Sequence, residues 1–214
     1  MLFENREHAG QLLAQRLIRY KGKNPLVLGI PRGAIPMAKI IADFLGGELD
    51  VVLVHKLGHP SQPELAIGAI DENGNLFLAD YALGIEPQYL EAEKNQQLET
   101  LRQRRAQYTP FRPPIDPHDR VVIVVDDGIA TGSTMTAALR AVRARKPKKL
   151  VGAVAVASPQ AARAMLHEAD AMVCLNVPSE FYAVGQFFVD FSQVTDEDVI
   201  AILRESAPRV SAPG

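Results

Sequence analysis

VVIVVDDGIATGST, residues 121–134, is the stretch on which the fold of this chain depends. Its five leading aliphatic residues lack the alternation of a half-exposed strand, so both faces should be buried, as in a central strand of a parallel sheet. Asp126 and Asp127 close the strand at the carboxyl edge of the sheet, where open α/β sheets bind ligands. A loop of small and hydroxyl residues leads into a predicted helix, Met135–Arg145, and such a helix N-terminus attracts anions. The stretch therefore predicts a phosphate cradle beside two acids.

The adjacent carboxylates of Asp126 and Asp127 need a partner. Two unit charges about 6 Å apart at an effective dielectric of about 20 repel by roughly 3 kcal/mol, or about two pKa units. A divalent cation, hydroxyl donors of a ligand or a nearby lysine would offset this repulsion. The alternative is that they are loop acids that cap the following helix, although burial at a strand end is costly without partners.

The composition favours one domain that works on small molecules. The chain has 214 residues, 47% of them hydrophobic, and a net charge of −2, so no global field recruits nucleic acid or an anionic membrane. Cys174, the single cysteine, sits among apolar residues and is interpreted as a buried small hydrophobe. No apolar run approaches the roughly 20 residues of a membrane span, and the N-terminus lacks a signal-peptide pattern, so a cytoplasmic location is expected.

Alternating strand and helix patterns surround the opening stretch. They predict an α/β fold of three layers, a mainly parallel sheet flanked by helices, with residues 1–214 as a single domain. The predicted strands are Pro25–Ile30, Asp50–Val54, Leu150–Ala157 and Ala171–Val177, and the predicted helices run from a cap at Asn5 to about Tyr20, from Ala34 to Leu45, from Pro159 to Glu168 and from Asp196 to Glu205.

Three segments are predicted to leave this core: a flap (57–80), a helical insertion (86–109) and a hood (178–194). In the flap, prolines and a glycine predict irregular structure up to Glu64, followed by a β-hairpin around Asn73-Gly74. The insertion is predicted to be one charged helix, Pro87–Tyr108. Its apolar stripe is so narrow that it should lie on the surface or at a subunit contact.

The hood concentrates aromatic residues in a chain with eight phenylalanines, five tyrosines and no tryptophan. Phe181, Tyr182, Phe187 and Phe188 are the residues predicted to stack on a flat heterocyclic acceptor. The alternative is a hydrophobic cluster or a dimer contact.

VVDDGIATGST, residues 124–134, resembles the phosphoribosyl-pyrophosphate (PRPP) binding motif of the type I phosphoribosyltransferases. The layout of the chain, from the early Arg-Gly turn to the flap and terminal hood, resembles that family as well. The resemblance implies that Asp126 and Asp127 hold the ribose 2′- and 3′-hydroxyls. It also implies that the loop after them binds PRPP, with the 5′-phosphate cradled by its second half; this loop comprises Gly128, Ile129, Ala130, Thr131, Gly132, Ser133 and Thr134.

The resemblance further assigns residues to the leaving pyrophosphate. The turn Pro31-Arg32-Gly33 would wrap it, and Lys56, expected at the end of the second strand, would neutralise its charge. The alternative for residues 31–33 is a plain strand-to-helix turn, and the alternative for Lys56 is a solvated lysine at a strand end. Mg²⁺ would arrive mainly with PRPP, with Asp126 and Asp127 as candidate protein ligands, and a closing flap would exclude water.

The expected function is Mg²⁺-dependent phosphoribosyl transfer from PRPP to a nitrogenous, nucleobase-like acceptor, with Asp126, Asp127, Arg32 and Lys56 at the reacting centre. Ala130 stands where the 6-oxopurine members carry an acid, which disfavours hypoxanthine, guanine and xanthine. The alternatives are a PRPP sensor without turnover and a hydrolase with an aspartyl nucleophile. The basic run 143–149 is expected at the far end of the phosphate-binding helix, so nucleic acid is not an expected partner, whereas family resemblance makes a homodimer plausible.

Overall fold

The computed structural model of the chain describes residues 1–78, 82, 84–110 and 113–206. Five parallel strands form the main sheet in the order β2-β1-β6-β7-β8, and three antiparallel strands, β3-β4-β5, form a second sheet. None of the helices in the described residues is both long and apolar enough to cross a membrane. The helices are α1 (Arg6–Arg16), α2 (Ile35–Leu45), α3 (Pro87–Tyr108), α4 (Ser133–Ala144), α5 (Pro159–Met165) and α6 (Asp196–Glu205); the strands are β1 (Leu26–Gly29), β2 (Glu48–Val51), β3 (Val54–His59), β4 (Gln62–Asp71), β5 (Leu76–Leu78), β6 (Val121–Ile129), β7 (Lys149–Ala157) and β8 (Ala171–Asn176).

The strand β6 is central and buried on both faces, as its unbroken aliphatic run predicts. Ile123 and Val125 pack in the cluster that includes α1 and α2, whereas Val122 and Val124 pack with α4 on the opposite face. All four side chains are fully buried. Helices on both faces of a parallel sheet confirm the predicted three-layer α/β fold.

The flap region differs from its prediction in two ways. The second parallel strand ends at Val51, so Lys56 lies not at the carboxyl edge of the main sheet but exposed in the middle of β3, paired with Ala69. The segment predicted to be irregular forms the hairpin β3–β4 instead. Its prolines are tolerated because Pro60 falls in the turn and Pro63 at the start of β4, next to an irregular register.

The second hairpin, β4–β5, follows the sequence prediction. Gly74 takes a positive φ of 84°, and its N–H donates to the carbonyl of Asp71 at 3.0 Å. Asn73-Gly74 therefore forms the predicted turn between antiparallel strands. The last two residues assigned to the flap, 79 and 80, lie outside the described part of the chain.

The helix α3 has the predicted bounds but is anchored by an arginine that the apolar pattern did not indicate. Arg105 donates to both carboxylate oxygens of Glu72, at 2.7 and 2.5 Å, and to Asp50 Oδ1 at 2.9 Å. The Arg105 side chain is 13% exposed and that of Asp50 is 1% exposed. One guanidinium thus joins α3 to the turn of the second hairpin and to β2.

Replacing Arg105 by glutamine is expected to lower the free energy of unfolding by about 3 kcal/mol, because it removes the guanidinium from the buried Asp50 and the half-buried Glu72 carboxylates. Urea denaturation measures the change. Arg102→Gln, an exposed position on the same helix, should stay close to the wild-type value. Equal midpoints for the two variants would show that Arg105 does not anchor α3.

Candidate active site

The acid pair lies inside a strand rather than after it. β6 continues through Asp126 and Asp127 to Ile129, with Asp126 paired to Val154 of β7. Burial raises the pKa of both carboxyls, and for Asp126 the neighbouring Asp127 raises it further. Two carboxyls held in this environment are an arrangement that folding alone does not favour.

An arginine from the first helix offsets the charge of Asp127. The Nε and Nη2 atoms of Arg6 each lie 2.9 Å from Asp127 Oδ2, and the two side chains are 12% and 14% exposed. The partners expected from sequence were a cation, ligand hydroxyls or a lysine, and Arg6 was missed because it is 121 positions away. One signal was present: Arg6 directly follows the N-cap Asn5, and a cation at a helix N-terminus opposes the helix dipole.

The turn after β1 is packed against the same carboxylate. A Cβ atom placed on Gly33 would overlap Asp127 Oδ2 and would lie 3.2 Å from Arg6 Nε. The peptide bond between Pro31 and Arg32 is cis. The close approach of Gly33 to Asp127 shows that the structure brings this turn and the second acid together, although they lie far apart in the sequence.

The terminal helix α6 contacts Arg32. Asp196 Oδ2 lies 3.4 Å from Arg32 Nη1, and Asp196 Oδ1 accepts a hydrogen bond from the Tyr108 hydroxyl. Tyr108 is buried, and its pKa is raised by burial and by the Asp196 carboxylate. The Arg32 side chain is thus directed by the ends of α3 and α6, two helices that had no predicted role at this turn.

The loop between β6 and α4 presents hydroxyls at a helix N-terminus. Gly132 has a positive φ of 86°, and α4 starts at Ser133, two residues earlier than predicted. Thr131 Oγ1 and Ser133 Oγ are 3.2 Å apart, and Thr131 is exposed. Ser158 fixes the loop from the neighbouring strand end, because its hydroxyl donates to the Ala130 carbonyl at 2.6 Å.

Two of the predicted hood residues belong to a hydrophobic cluster. Phe187 and Phe188 are only 9% and 6% exposed; Phe188 packs on Phe3 and Phe191, and Phe187 packs on Phe181. Phe187 and Phe188 therefore offer little exposed ring surface to an acceptor, their packing is that of the hydrophobic cluster named as the alternative, and their stacking role stays a prediction. Tyr182 is 84% exposed, and its role, like that of the half-buried Phe181, stays a prediction.

An open cavity of about 470 Å³ lies where the turn after β1, the Arg6–Asp127 pair and the hood meet. Its size suits a small organic ligand. In the described residues there is no group of three or more His, Cys, Asp or Glu side chains that could hold a metal ion. The cavity is lined by Arg6, Arg32, Gly33 and Asp127 together with the hood residues Val184, Phe191, Gln193 and Val194.

The fold and this geometry define an α/β protein with its candidate site at the carboxyl edge of a parallel sheet. The family model of the phosphoribosyl transferase domain matches residues 1–192, and the chain belongs to that family. Two curated relatives, from two strains of Mycobacterium tuberculosis, carry the provisional name phosphoribosyl transferase and are each 41% identical over 205 residues. The match covers 94% of this chain and 46% of each relative, so the chain spans about half their length.

A crystal structure of the protein TT1426 from Thermus thermophilus is similar to the whole fold. It shares 48% sequence identity with this chain and has a TM-score of 0.89. The match covers 97% of this chain and 100% of that chain, so the two folds agree over nearly their full lengths.

Proposed function

We propose that this chain transfers the 5-phosphoribosyl group of PRPP to a nitrogenous, nucleobase-like acceptor and releases pyrophosphate. The observation that carries the proposal is the convergence, in one cavity, of the Asp127 carboxylate, the Arg32-Gly33 turn and the hood. Each side of the cavity suits one part of such a reaction. Membership of the phosphoribosyl transferase domain family supports the same assignment.

The roles of the residues follow from the charges that the reaction develops. Departure of pyrophosphate builds positive charge on the ribose and negative charge on the leaving group. Asp126 and Asp127 accept hydrogen bonds from the ribose hydroxyls and lie close enough to favour a cationic sugar. The loop 130–134, at the N-terminus of α4, receives the 5′-phosphate through its N–H groups and hydroxyls, and Arg32 attracts the leaving group.

The carboxylates fit Mg²⁺ that is bound chiefly through the substrate. Asp126 and Asp127 supply hard oxygen donors, but Arg6 already occupies Asp127 Oδ2, so too few protein ligands remain for a cage made by the protein alone. When bound, Mg²⁺ would neutralise charge on the pyrophosphate oxygens. Lys56 belongs to the same proposal, although its place in β3 gives it no direct support.

The acceptor would lie between the ribose site and the hood. Ala130 supplies no general base, which disfavours 6-oxopurines, so acceptor choice would fall to hood residues. Phe191 and Gln193 line the cavity and offer an apolar ring and an amide, in place of the buried Phe187 and Phe188.

Calorimetric titration with PRPP should give Mg²⁺-dependent heat, and a second assay should detect pyrophosphate release with at least one member of a panel of purines, pyrimidines and amines. The absence of heat at millimolar PRPP with Mg²⁺ present would refute the proposal. Binding without pyrophosphate release from any acceptor would favour a PRPP sensor. Ribose 5-phosphate and pyrophosphate, titrated separately, would show which half of PRPP provides the affinity.

A further inference from the structure

Arg6 contacts three residues with one guanidinium group. Nε and Nη2 hold Asp127, and Nη1 donates to the Ser192 carbonyl at 2.6 Å. The guanidinium carbon also lies 3.8 Å from the centre of the Phe191 ring. The first helix, the acid pair and the hood are therefore joined at a single side chain.

The hood meets the N-terminal segment again just before this contact. The Val189 N–H donates to the Phe3 carbonyl at 2.8 Å, and the Asp190 N–H donates to the Glu4 carbonyl at 2.9 Å. The Phe3 and Phe188 rings lie 5.2 Å apart. The hood thus rests on residues 3–6, and Arg6 is the member of this segment that reaches the acids.

The electrostatic setting gives Arg6 a specific task. Burial raises the pKa of the Asp127 carboxyl, and the Arg6 guanidinium acts in the opposite direction. A carboxylate oxygen accepts hydrogen bonds, and the hydroxyls of a ligand can donate to it only if the carboxylate faces them. The planar fork of arginine fixes the direction of the carboxylate as well as its charge. Arg32 lines the same cavity as Arg6, and Glu7, Asp190 and Asp198 line a neighbouring cavity that also includes Arg6.

We propose that Arg6 is a positioning residue that holds the Asp127 carboxylate in a fixed direction and fastens the hood to it. The ribose side and the acceptor side of the cavity then move as one unit. A displacement of the hood pulls on Ser192 and Phe191, and through Arg6 it changes the environment of Asp127. The role in turnover rests on the proposed phosphoribosyl transfer, whereas the link between acid and hood does not.

The link is tested first without any ligand, by hydrogen exchange of the amides in residues 188–194. Arg6→Gln removes the charge and the fork, and we expect exchange of these amides to be about tenfold faster or more. Arg16→Gln is the matched control, because Arg16 is exposed on the same helix; its exchange should equal that of the wild type. Equal exchange in both variants would overturn the link.

The positioning of Asp127 is tested by calorimetric titration with PRPP. Arg6→Gln should weaken PRPP binding about tenfold to a hundredfold, because it removes the fork that directs the carboxylate. Arg6→Lys keeps the charge without the fork and should weaken binding less, whereas Arg16→Gln should bind PRPP as the wild type does. Wild-type affinity in Arg6→Gln would overturn the positioning role. A wild type that binds no PRPP, with hydrogen exchange responding as expected, would refute the proposed function alone.

Discussion

Replacing both Asp126 and Asp127 by asparagine is expected to raise the dissociation constant for PRPP by about a thousandfold. Each acid is proposed to accept a hydrogen bond from a ribose hydroxyl, and hydrogen bonds to charged groups contribute about 1.5–3 kcal/mol each. Two of them amount to about 4 kcal/mol, which corresponds to about a thousandfold in affinity. Asparagine preserves the size of both side chains, so the fold of β6 should remain.

The single variant Asp126→Asn is expected to bind PRPP more weakly than the wild type but to be more stable against unfolding above acidic pH. Burial and the neighbouring Asp127 raise the pKa of the Asp126 carboxyl above its value in the unfolded chain. The stability that the Asp126 carboxyl contributes is therefore fully present below its pKa in the unfolded chain. This stability is lost as the pH rises through the pKa of Asp126 in the folded protein. The asparagine amide in this variant does not ionise, so the variant should be more stable than the wild type at a pH of about 8, and the difference should disappear in acid.

Asp127→Asn should not show this gain, because Arg6 would lose the carboxylate that it contacts. Calorimetry with PRPP and urea denaturation at several pH values measure the two effects. Asp116→Asn serves as control, since Asp116 is exposed and pairs only with the surface residue Arg145 among its described ion pairs. Unchanged PRPP affinity in the double variant would show that the acids are not ribose ligands.

The parts of the fold that follow from sequence are those encoded by nearby residues. An unbroken aliphatic run requires burial on both faces of the strand, and β6 is buried on both faces. The capping side chain of Asn5, the left-handed Gly46 after α2 and the reciprocal Thr195–Asp198 cap of α6 all lie within a few residues of the ends they define. By contrast, β3 was missed because a proline-containing hairpin with an irregular register has no simple alternation.

In the candidate site, too, the features that follow from sequence are those formed by neighbouring residues. The acids and the hydroxyl-bearing loop before α4 are contiguous, so one stretch of sequence contains both. The Arg6–Asp127 pair and the Tyr108–Asp196–Arg32 contacts join residues far apart, and no local pattern encodes such pairs. The clustered aromatic residues of the hood are evident from sequence, but composition does not indicate which rings face inward. The inward position of Phe188 depends on Phe3, a distant residue whose ring packs beside it.

Gly33→Ala is expected to lower PRPP affinity by about a hundredfold although it adds a single methyl group. The new Cβ would overlap Asp127 Oδ2, and this oxygen cannot move away freely because Arg6 holds it through two nitrogens. Either the turn moves or the Arg6–Asp127 pair breaks, and both changes displace groups assigned to PRPP. Overpacking of this kind costs about 2 kcal/mol of stability as well.

Gly22→Ala separates this effect from the general cost of replacing a glycine. Gly22 has a positive φ of 74°, and a Cβ there would meet nothing within 4 Å. This control should lose about 1 kcal/mol of stability through backbone strain and keep its affinity for PRPP. If Gly22→Ala weakened PRPP binding as much as Gly33→Ala, contact with Asp127 would not be the cause.

A double-mutant cycle tests the contact itself. Asp127→Ala removes the oxygen that the new methyl group would overlap, so Gly33→Ala should cost much less stability in that background than in the wild type. The two losses should therefore fail to add, as expected for residues in direct contact. Strict additivity would place the damage of Gly33→Ala elsewhere in the turn. Non-additivity would show that the Pro31-Arg32-Gly33 turn and the Asp127 carboxylate are packed directly against each other, with glycine as the one residue small enough to let them meet.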